Sequence, residues 1–404
     1  MRAARVLFLT SLFFFYGFGL NNIFDALGAT LSVTYNLTPD ALGWISSLYF
    51  WANVISLIPM GLLCDRISPK QVILGALFIS VLTVLSINFS NQIWVLILSR
   101  IFMGVAGGCI FVGCIRIAVN WFKLHQMARV TGFIVTMGML GGFMVQSPLI
   151  ILIHHTNWHV ALEVAAGIGG LIFVLIFLGV ADHPERESDL NNLNKNSQES
   201  IWENLKLVFK NKQNWIAGLA GSLNNLPIFM LGALWGVPYL IHVAHLSETS
   251  AGWICGMLYF GTMLGSPMIG FISDSLGLRK WPMLFSILLS IFIILLCIGL
   301  SISSVFIWGF LFFLLGMTAS AQVLAYPIVA ESNPHRLIST ATSIISIQML
   351  LGGAISEPLF GAIVQHFGGE HSMGAYQMAM NILPIAFCLA FVMGLFLKEK
   401  KINK

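Results

Sequence analysis

Apolar residues run through this chain in long unbroken stretches separated by short polar breaks. Twelve such runs stand out, at about 6–33, 43–63, 71–89, 93–119, 130–153, 160–181, 214–241, 250–272, 281–301, 304–330, 337–365 and 375–397. A helix needs roughly 20 mostly apolar residues to cross a bilayer. Most of the runs are too long for strands, and none alternates as a membrane barrel requires. The pattern predicts an all-α membrane protein of twelve transmembrane helices. The first run opens "MRAARVLFLTSLFFFYGFGL", superficially like a secretory signal. Its apolar stretch continues well beyond a signal core and no small-residue cleavage site ends it, so it is expected to remain as helix 1.

Composition agrees. The 404 residues are 57% hydrophobic and only 9% charged, where a soluble domain carries about 25% charge. Such a chain has the bilayer as its partner, and a nucleic-acid partner is not expected. All but two of the 20 Lys and Arg lie in the N-terminus, the even-numbered connections or the C-terminus, the exceptions being Arg100 and Arg116 inside helix 4. By the positive-inside rule both termini are cytoplasmic, as expected in a bacterial inner membrane. The six cysteines fall in or beside apolar runs without metal-type spacing and read as small core residues. No phosphate-binding lysine loop is present. No cofactor, metal or enzymatic activity is expected, and the chain is expected to act as a monomer.

The sequence also repeats itself. "LNN" at 20–22 returns at 223–225, "GWISSLYF" (43–50) as "GWICGMLYF" (252–260), "GLLCDRISPK" (61–70) as "GFISDSLGLRK" (270–280), and "MLGGFMVQSPL" (139–149) as "MLLGGAISEPLFG" (349–361). A duplicated six-helix unit follows. Its two copies are expected at 1–181 and 214–404, joined by a polar cytoplasmic linker at 182–213 whose "IWENLKLVFKNK" reads as an amphipathic interfacial helix.

Two six-helix repeats, a cytoplasmic linker and a charged loop between helices 2 and 3 resemble the major facilitator superfamily. The family's loop pattern, G-x-x-x-D-[RK]-x-G-R-[RK], is matched here by Gly61, Asp65, Arg66 and Lys70, with Ser68 and Pro69 departing from it. The second copy keeps Gly270, Asp274, Gly277, Arg279 and Lys280. Arg100 and Gly104 resemble the family's helix-4 Arg-x-x-x-Gly element, and "NWHVAL" (157–162) resembles its N-W-R start of helix 6. The resemblance covers the whole chain and implies a secondary transporter working by alternating access. It also implies a cytoplasmic gate in which Asp65, Arg66, Lys70, Asp274 and Arg279, with Glu331 near the end of helix 10, form bonds that break on opening. Capping and topogenic roles would use the same residues.

Polar groups inside the runs mark the site. In a transporter of this build the solute sits near the midplane, lined by helices 1, 4, 7 and 10. Asn21, Asn22 and Asp25 share a face of helix 1. Asn224 and Asn225 take the matching place on helix 7, followed by Trp235 and Tyr239. These amides either line the cavity or glue helices together. Asp25 and Arg100 lie roughly 10–12 Å below the outer surface on two lining helices and are expected to pair. Such a pair either couples solute movement to a proton or is a static ion pair. The proton-coupled sugar symporters of the superfamily resemble this placement. Glu357, which replaces Ser147 of the matching segment, is a second proton or cation candidate. Arg116 near the cytoplasmic end is a topology anchor or an attraction for an anion, and Gln146, Gln322 and Tyr326 add neutral polar groups to the cavity. Of the charges inside spans, Glu163 starts helix 6, at the outer interface. The function expected is uptake of a small polar metabolite (amino acid, organic acid or sugar) with the proton as coupling ion. Export of drugs or siderophores by proton antiport is the alternative, and a non-transporting sensor the third reading.

Overall fold

The computed structural model describes residues 2–90, 92–122, 127–182, 201–299, 303–334 and 337–399. Every regular element among them is helical, and they form twelve spans, numbered here α1 to α12. The first six are α1 (Arg2–Ala26, continued by Gly28–Tyr35), α2 (Pro39–Arg66), α3 (Pro69–Phe89), α4 (Ile93–Trp121), α5 (Met127–Met144, a π turn Val145–Leu149, then Ile150–His155) and α6 (Trp158–Gly179). The last six are α7 (Lys212–Pro227, a π turn Ile228–Leu234, then Gly236–Ala244), α8 (Glu248–Leu276), α9 (Lys280–Gly299), α10 (Val305–Ala319, a 3-10 turn Ser320–Leu324, then Ala325–Ser332), α11 (Ile338–His366) and α12 (Met373–Met380 and Ile382–Leu395). A short helix, Ile201–Lys210, precedes α7, and linker residues 183–200 lie outside the described residues.

Among the described residues eleven helices are long and apolar enough to cross a membrane, and the shorter apolar stretch Val130–Met144 belongs to α5. This is an integral multi-pass membrane protein. Its outer surface says the same: Phe306, Phe271 and Phe285 are 90%, 75% and 67% exposed, a loss in water but not against lipid tails. Twelve crossings return the chain to the side where it began, so both termini share one end of the bundle. That end is called the terminal end below, and the opposite one the far end.

Helix ends follow local chemistry that is duplicated between the repeats. Asn36 ends α1 and His245 ends α7, each in the left-handed region (φ 51° and 55°). Thr38 and Ser247 then cap α2 and α8 by accepting from Ala41 N and Ser250 N, both at 3.3 Å. Within α5 and α7 the π turns lie beside Pro148 and Pro227, where proline's missing N–H disturbs the regular ladder. The α7 turn is closed by Trp235 N to Met230 O at 2.7 Å.

The two halves meet through α2 against α11 and α5 against α8. At the far end this seam is tight. A Cβ on Gly43 of α2 would lie 2.7 Å from the Glu357 carbonyl oxygen of α11, closer than any side chain tolerates. Of the eleven long apolar helices α7 is the most buried, with 83% of an 18-residue stretch inside the protein against 39% for α6 and α12.

Candidate functional site

Asp25 and Arg100 do meet. The guanidinium nitrogen Nη2 lies 3.6 Å from Asp25 Oδ1, and neither side chain has any exposed surface. Ser46 of α2 sits between them. Its Oγ donates to Asp25 Oδ1 at 2.7 Å and accepts from Arg100 Nη2 at 3.0 Å, while its carbonyl accepts from the same nitrogen at 2.9 Å. Arg100 Nη1 donates to the Asn21 carbonyl at 3.3 Å, and the guanidinium carbon lies 4.2 Å from the centre of the Phe24 ring. These bonds and the ring face offset part of the cost of removing the cation from water.

Glu357 joins the same cluster from the other half. Sequence position alone put it on a different helix in the other repeat. The packing of α11 on α2 at Gly43, one turn from Ser46, brings its carboxyl within electrostatic reach of Asp25 and Arg100. Its carbonyl oxygen accepts from Trp235 Nε1 at 3.0 Å, and Trp235 stacks on Phe360 with centroids 5.1 Å apart. Glu357 is fully buried, and neither of its carboxyl oxygens has a hydrogen-bond partner; Asp25 Oδ2 also lacks one. Asp25 is thus paired directly with Arg100, while Glu357 lies near that pair without an ion pair or hydrogen bond of its own. With both ionised the cluster carries one uncompensated negative charge, and a single proton removes it.

The asparagine pairs divide in use. Asn224 is consumed inside its own half: Nδ2 donates to the Thr318 and Ala319 carbonyls at 3.1 and 3.3 Å, and Oδ1 accepts from Ser290 at 3.3 Å. Asn225 is equally buried, yet its Oδ1 has no partner, nor has Asn21 Oδ1. Asn22 donates from Nδ2 to the Phe18 carbonyl at 2.7 Å and accepts at Oδ1 from the Tyr259 hydroxyl of α8. Gln146, in the α5 π turn, donates to the Ala233 carbonyl in the α7 π turn at 3.0 Å, so the two irregular turns are bonded across the halves. Gln322 lies half-buried in the α10 3-10 turn, and the half-buried Tyr326 has its hydroxyl 3.3 Å from Ser346 Oγ. Tyr239 is fully buried with its ring edge-on to Trp308 at 6.1 Å, away from the charged cluster's bonds, and its hydroxyl has no partner. Arg116 is exposed and lies near Cys64 at the terminal end of α2.

At the terminal end Lys70, Arg279 and Lys280 bond within their own halves among the described residues. Lys70 Nζ donates to the Phe177 carbonyl at the end of α6 at 2.8 Å, and Lys280 Nζ to the Leu395 carbonyl at the end of α12 at 2.7 Å. Asp182 accepts from Ser68 Oγ and from Lys70 N at 2.9 Å; Glu399 accepts from Arg279 N and Lys280 N at 2.8 and 3.0 Å. Each carboxylate thus sits on the N-terminus of α3 or α9, where unpaired amides and the helix dipole favour an anion. Arg279 also bonds Asp274 Oδ1 at 2.5 Å and Glu331 Oε1 at 3.1 Å. Burial alone would draw its proton affinity down, but the bonds to the two carboxylates outweigh that and hold it above the ordinary arginine value. The expected Arg279–Glu331 bond is present, but it joins α10 to the α8–α9 loop of the same half. The side chains of Asp65 and Arg66 lie outside the described residues.

Several residues of these networks escaped the sequence reading, among them Ser46, Tyr259, Asp182 and Glu399. One signal was available. "LYF" closes both GWISSLYF and GWICGMLYF, and of its two tyrosines Tyr49 packs against Arg100 and Tyr259 bonds Asn22.

Comparison with known proteins places the chain in a family. A family model described as Major Facilitator Superfamily matches residues 8–243 and 217–404. The chain belongs to this superfamily. It is therefore a secondary transporter and not an enzyme. The probable galactarate/D-glucarate transporter GudP of Escherichia coli (strain K12) is 24% identical over 417 residues, covering 93% of this chain and 90% of that protein. The transporter of the same description from Bacillus subtilis (strain 168) is 26% identical over 303 residues, a match spanning 65% of this chain and just under two thirds (66%) of that protein. Among solved structures, a bacterial homolog of the human lysosomal transporter Spinster, inward-facing and unoccupied, superposes with a TM-score of 0.80 over 98% of both chains at 14% identity, a likeness of fold.

Proposed function

We propose that this transporter takes up a small hydroxylated carboxylate of the sugar-acid class together with a proton. The observation that carries the coupling is the buried Asp25–Arg100 pair with Glu357 of the other half beside it, three of the four carboxyl oxygens having no hydrogen-bond partner. A proton on one carboxyl supplies a donor and balances the charge, and the carboxyls belong to opposite halves. Relative movement of the halves changes the distance of Glu357 from Arg100, and with it the cluster's hold on the proton. The substrate class is supported by the relatives named for galactarate and D-glucarate. Unpartnered buried amide oxygens on Asn21, Asn225 and Gln146 offer acceptors for solute hydroxyls.

In this reading residues 1–181 and 214–404 are two bundles that rock about the solute, and 182–213 is their linker. Both termini face the cytoplasm of a bacterial inner membrane, following the placement of Lys and Arg. The far end, sealed here, is then the outer one. The transporter works as a monomer without a cofactor, and its partners are the solute, the proton and the lipid.

The test is uptake into proteoliposomes holding the purified chain. A panel of D-glucarate, galactarate, neutral sugars and amino acids is offered with and without an outside-acid pH gradient. Sugar-acid accumulation that rises with the gradient is expected. Uptake indifferent to the gradient would remove the proton, and transport confined to neutral solutes would remove the substrate class.

A further inference from the structure

Tyr259 is held by both halves. The residue is 1% exposed. A Cβ on Gly142 of α5 would lie 3.0 Å from the ring, and so would one on Gly232 in the α7 π turn. The slot exists because both positions lack a side chain. Phe18 of α1 meets the ring edge-on, with centroids 6.0 Å apart at 87°. The hydroxyl donates to Asn22 Oδ1, and Asn22 is fixed on its own helix by its bond to the Phe18 carbonyl.

This bond can exist only while the halves touch at this level. When they part at the far end, the tyrosine hydroxyl and the amide oxygen lose each other, and each requires a new polar partner. Water can serve, and so can a hydroxyl of the solute, which donates to Asn22 Oδ1 and accepts from Tyr259. We propose that Tyr259 is a specificity-determining residue, binding a solute hydroxyl together with Asn22 in the far-end-open state. The direct Tyr259–Asn22 bond is then the substitute for that hydroxyl in the empty, closed carrier. The solute part of this inference rests on the sugar-acid reading; the exchange of the bond on opening does not.

Two arms test it. In the first, spin labels are placed at Ser32→Cys and Gln365→Cys, which line from opposite halves a far-end cleft of about 550 Å³. The background is Cys388→Ser, because Cys388 is the exposed cysteine. Without solute, Tyr259→Phe should raise the ratio of long to short label distances about 2- to 12-fold, the effect of one net hydrogen bond. Asn22→Ala should do the same, and the double variant should go no further than either alone. Gly142→Ala, which narrows the slot without touching either polar group, should shift the ratio in the same direction. In the second arm the probes are D-glucarate and adipate, the same six-carbon diacid without hydroxyls. Tyr259→Phe should reduce the preference for glucarate about 2- to 12-fold, an effect that a purely structural role would not have. Additive distance shifts, or none, would overturn the bond exchange. An unchanged glucarate-to-adipate ratio would overturn the role in specificity. Binding of neither probe by the parent protein would count against the sugar-acid reading and with it the solute contact, while the distance arm still decides the exchange.

Discussion

Glu357→Gln should separate coupling from folding. The carboxyl is fully buried and neither oxygen meets hydrogen-bond geometry, the Ser46 hydroxyl beside it donating to Asp25 instead, so an amide of the same shape forfeits no hydrogen bond. It also removes one of the two acids competing for Arg100. Thermal stability should change by no more than about 1 kcal/mol, because no bonded partner is left unpaired. Asp25→Asn differs, since Asp25 accepts from Ser46 at 2.7 Å and faces Arg100 at 3.6 Å. Loss of the charge there should cost about 1.5–3 kcal/mol, the worth of a hydrogen bond to a charged group. For transport, one proton per solute and one unit of pH difference supply about 1.4 kcal/mol, a ten-fold accumulation ratio. The assay is the steady-state ratio of D-glucarate inside to outside proteoliposomes, with the outside one unit more acid and the membrane potential clamped at zero. Counterflow at equal pH measures whether exchange survives. The parent protein should reach a ratio of about ten and Glu357→Gln about one, with counterflow retained. A variant that still accumulates ten-fold would remove Glu357 from the coupling.

Three further outcomes are expected. Asn224→Ala should lower the melting temperature, losing about 1–3 kcal/mol by stranding the Thr318 and Ala319 carbonyls, whereas Asn225→Ala should leave melting unchanged and weaken solute binding several-fold in a calorimetric titration. Asp182→Ala and Glu399→Ala should each destabilise by about 0.5–2 kcal/mol, as cap removals do, and by similar amounts in thermal melts because they occupy equivalent places on α3 and α9. Gly43→Val should prevent far-end closure, since even a Cβ would press on the Glu357 carbonyl at 2.7 Å; a cysteine placed at Gln365 should then react faster with an impermeant maleimide, and an unchanged rate would show that the seam yields elsewhere.

Much of the fold was legible in the sequence because the bilayer reads composition along the chain. A run of some 20 apolar residues lowers its free energy by crossing, whatever its neighbours do, and its backbone must bond to itself once inside. The twelve runs accordingly return as α1 to α12 with ends displaced by only a few residues, and the repeats return as matching caps at Thr38 and Ser247. The Asp25–Arg100 pair was legible for a related reason: depth follows from counting residues at a fixed rise, and a buried charge must find its opposite.

Rotation of each helix about its axis and the choice of neighbour are not written in any local window, and these were left to the tertiary structure. They put Glu357 beside a pair in the other half, made Asn224 an internal brace while leaving Asn225 Oδ1 unbonded, and set Tyr259 in a slot between two glycines. They also kept the bonds of Lys70 and Arg279 inside their own halves, with Asp182 and Glu399 supplying the caps. A carboxylate, an amide or a phenol in an apolar run announces only that it needs a partner, because leaving water is costly at any such position. Which partner it finds depends on distances of a few ångströms between helices far apart in sequence, and those are fixed only when glycines, rings and branched side chains of all twelve helices pack at once.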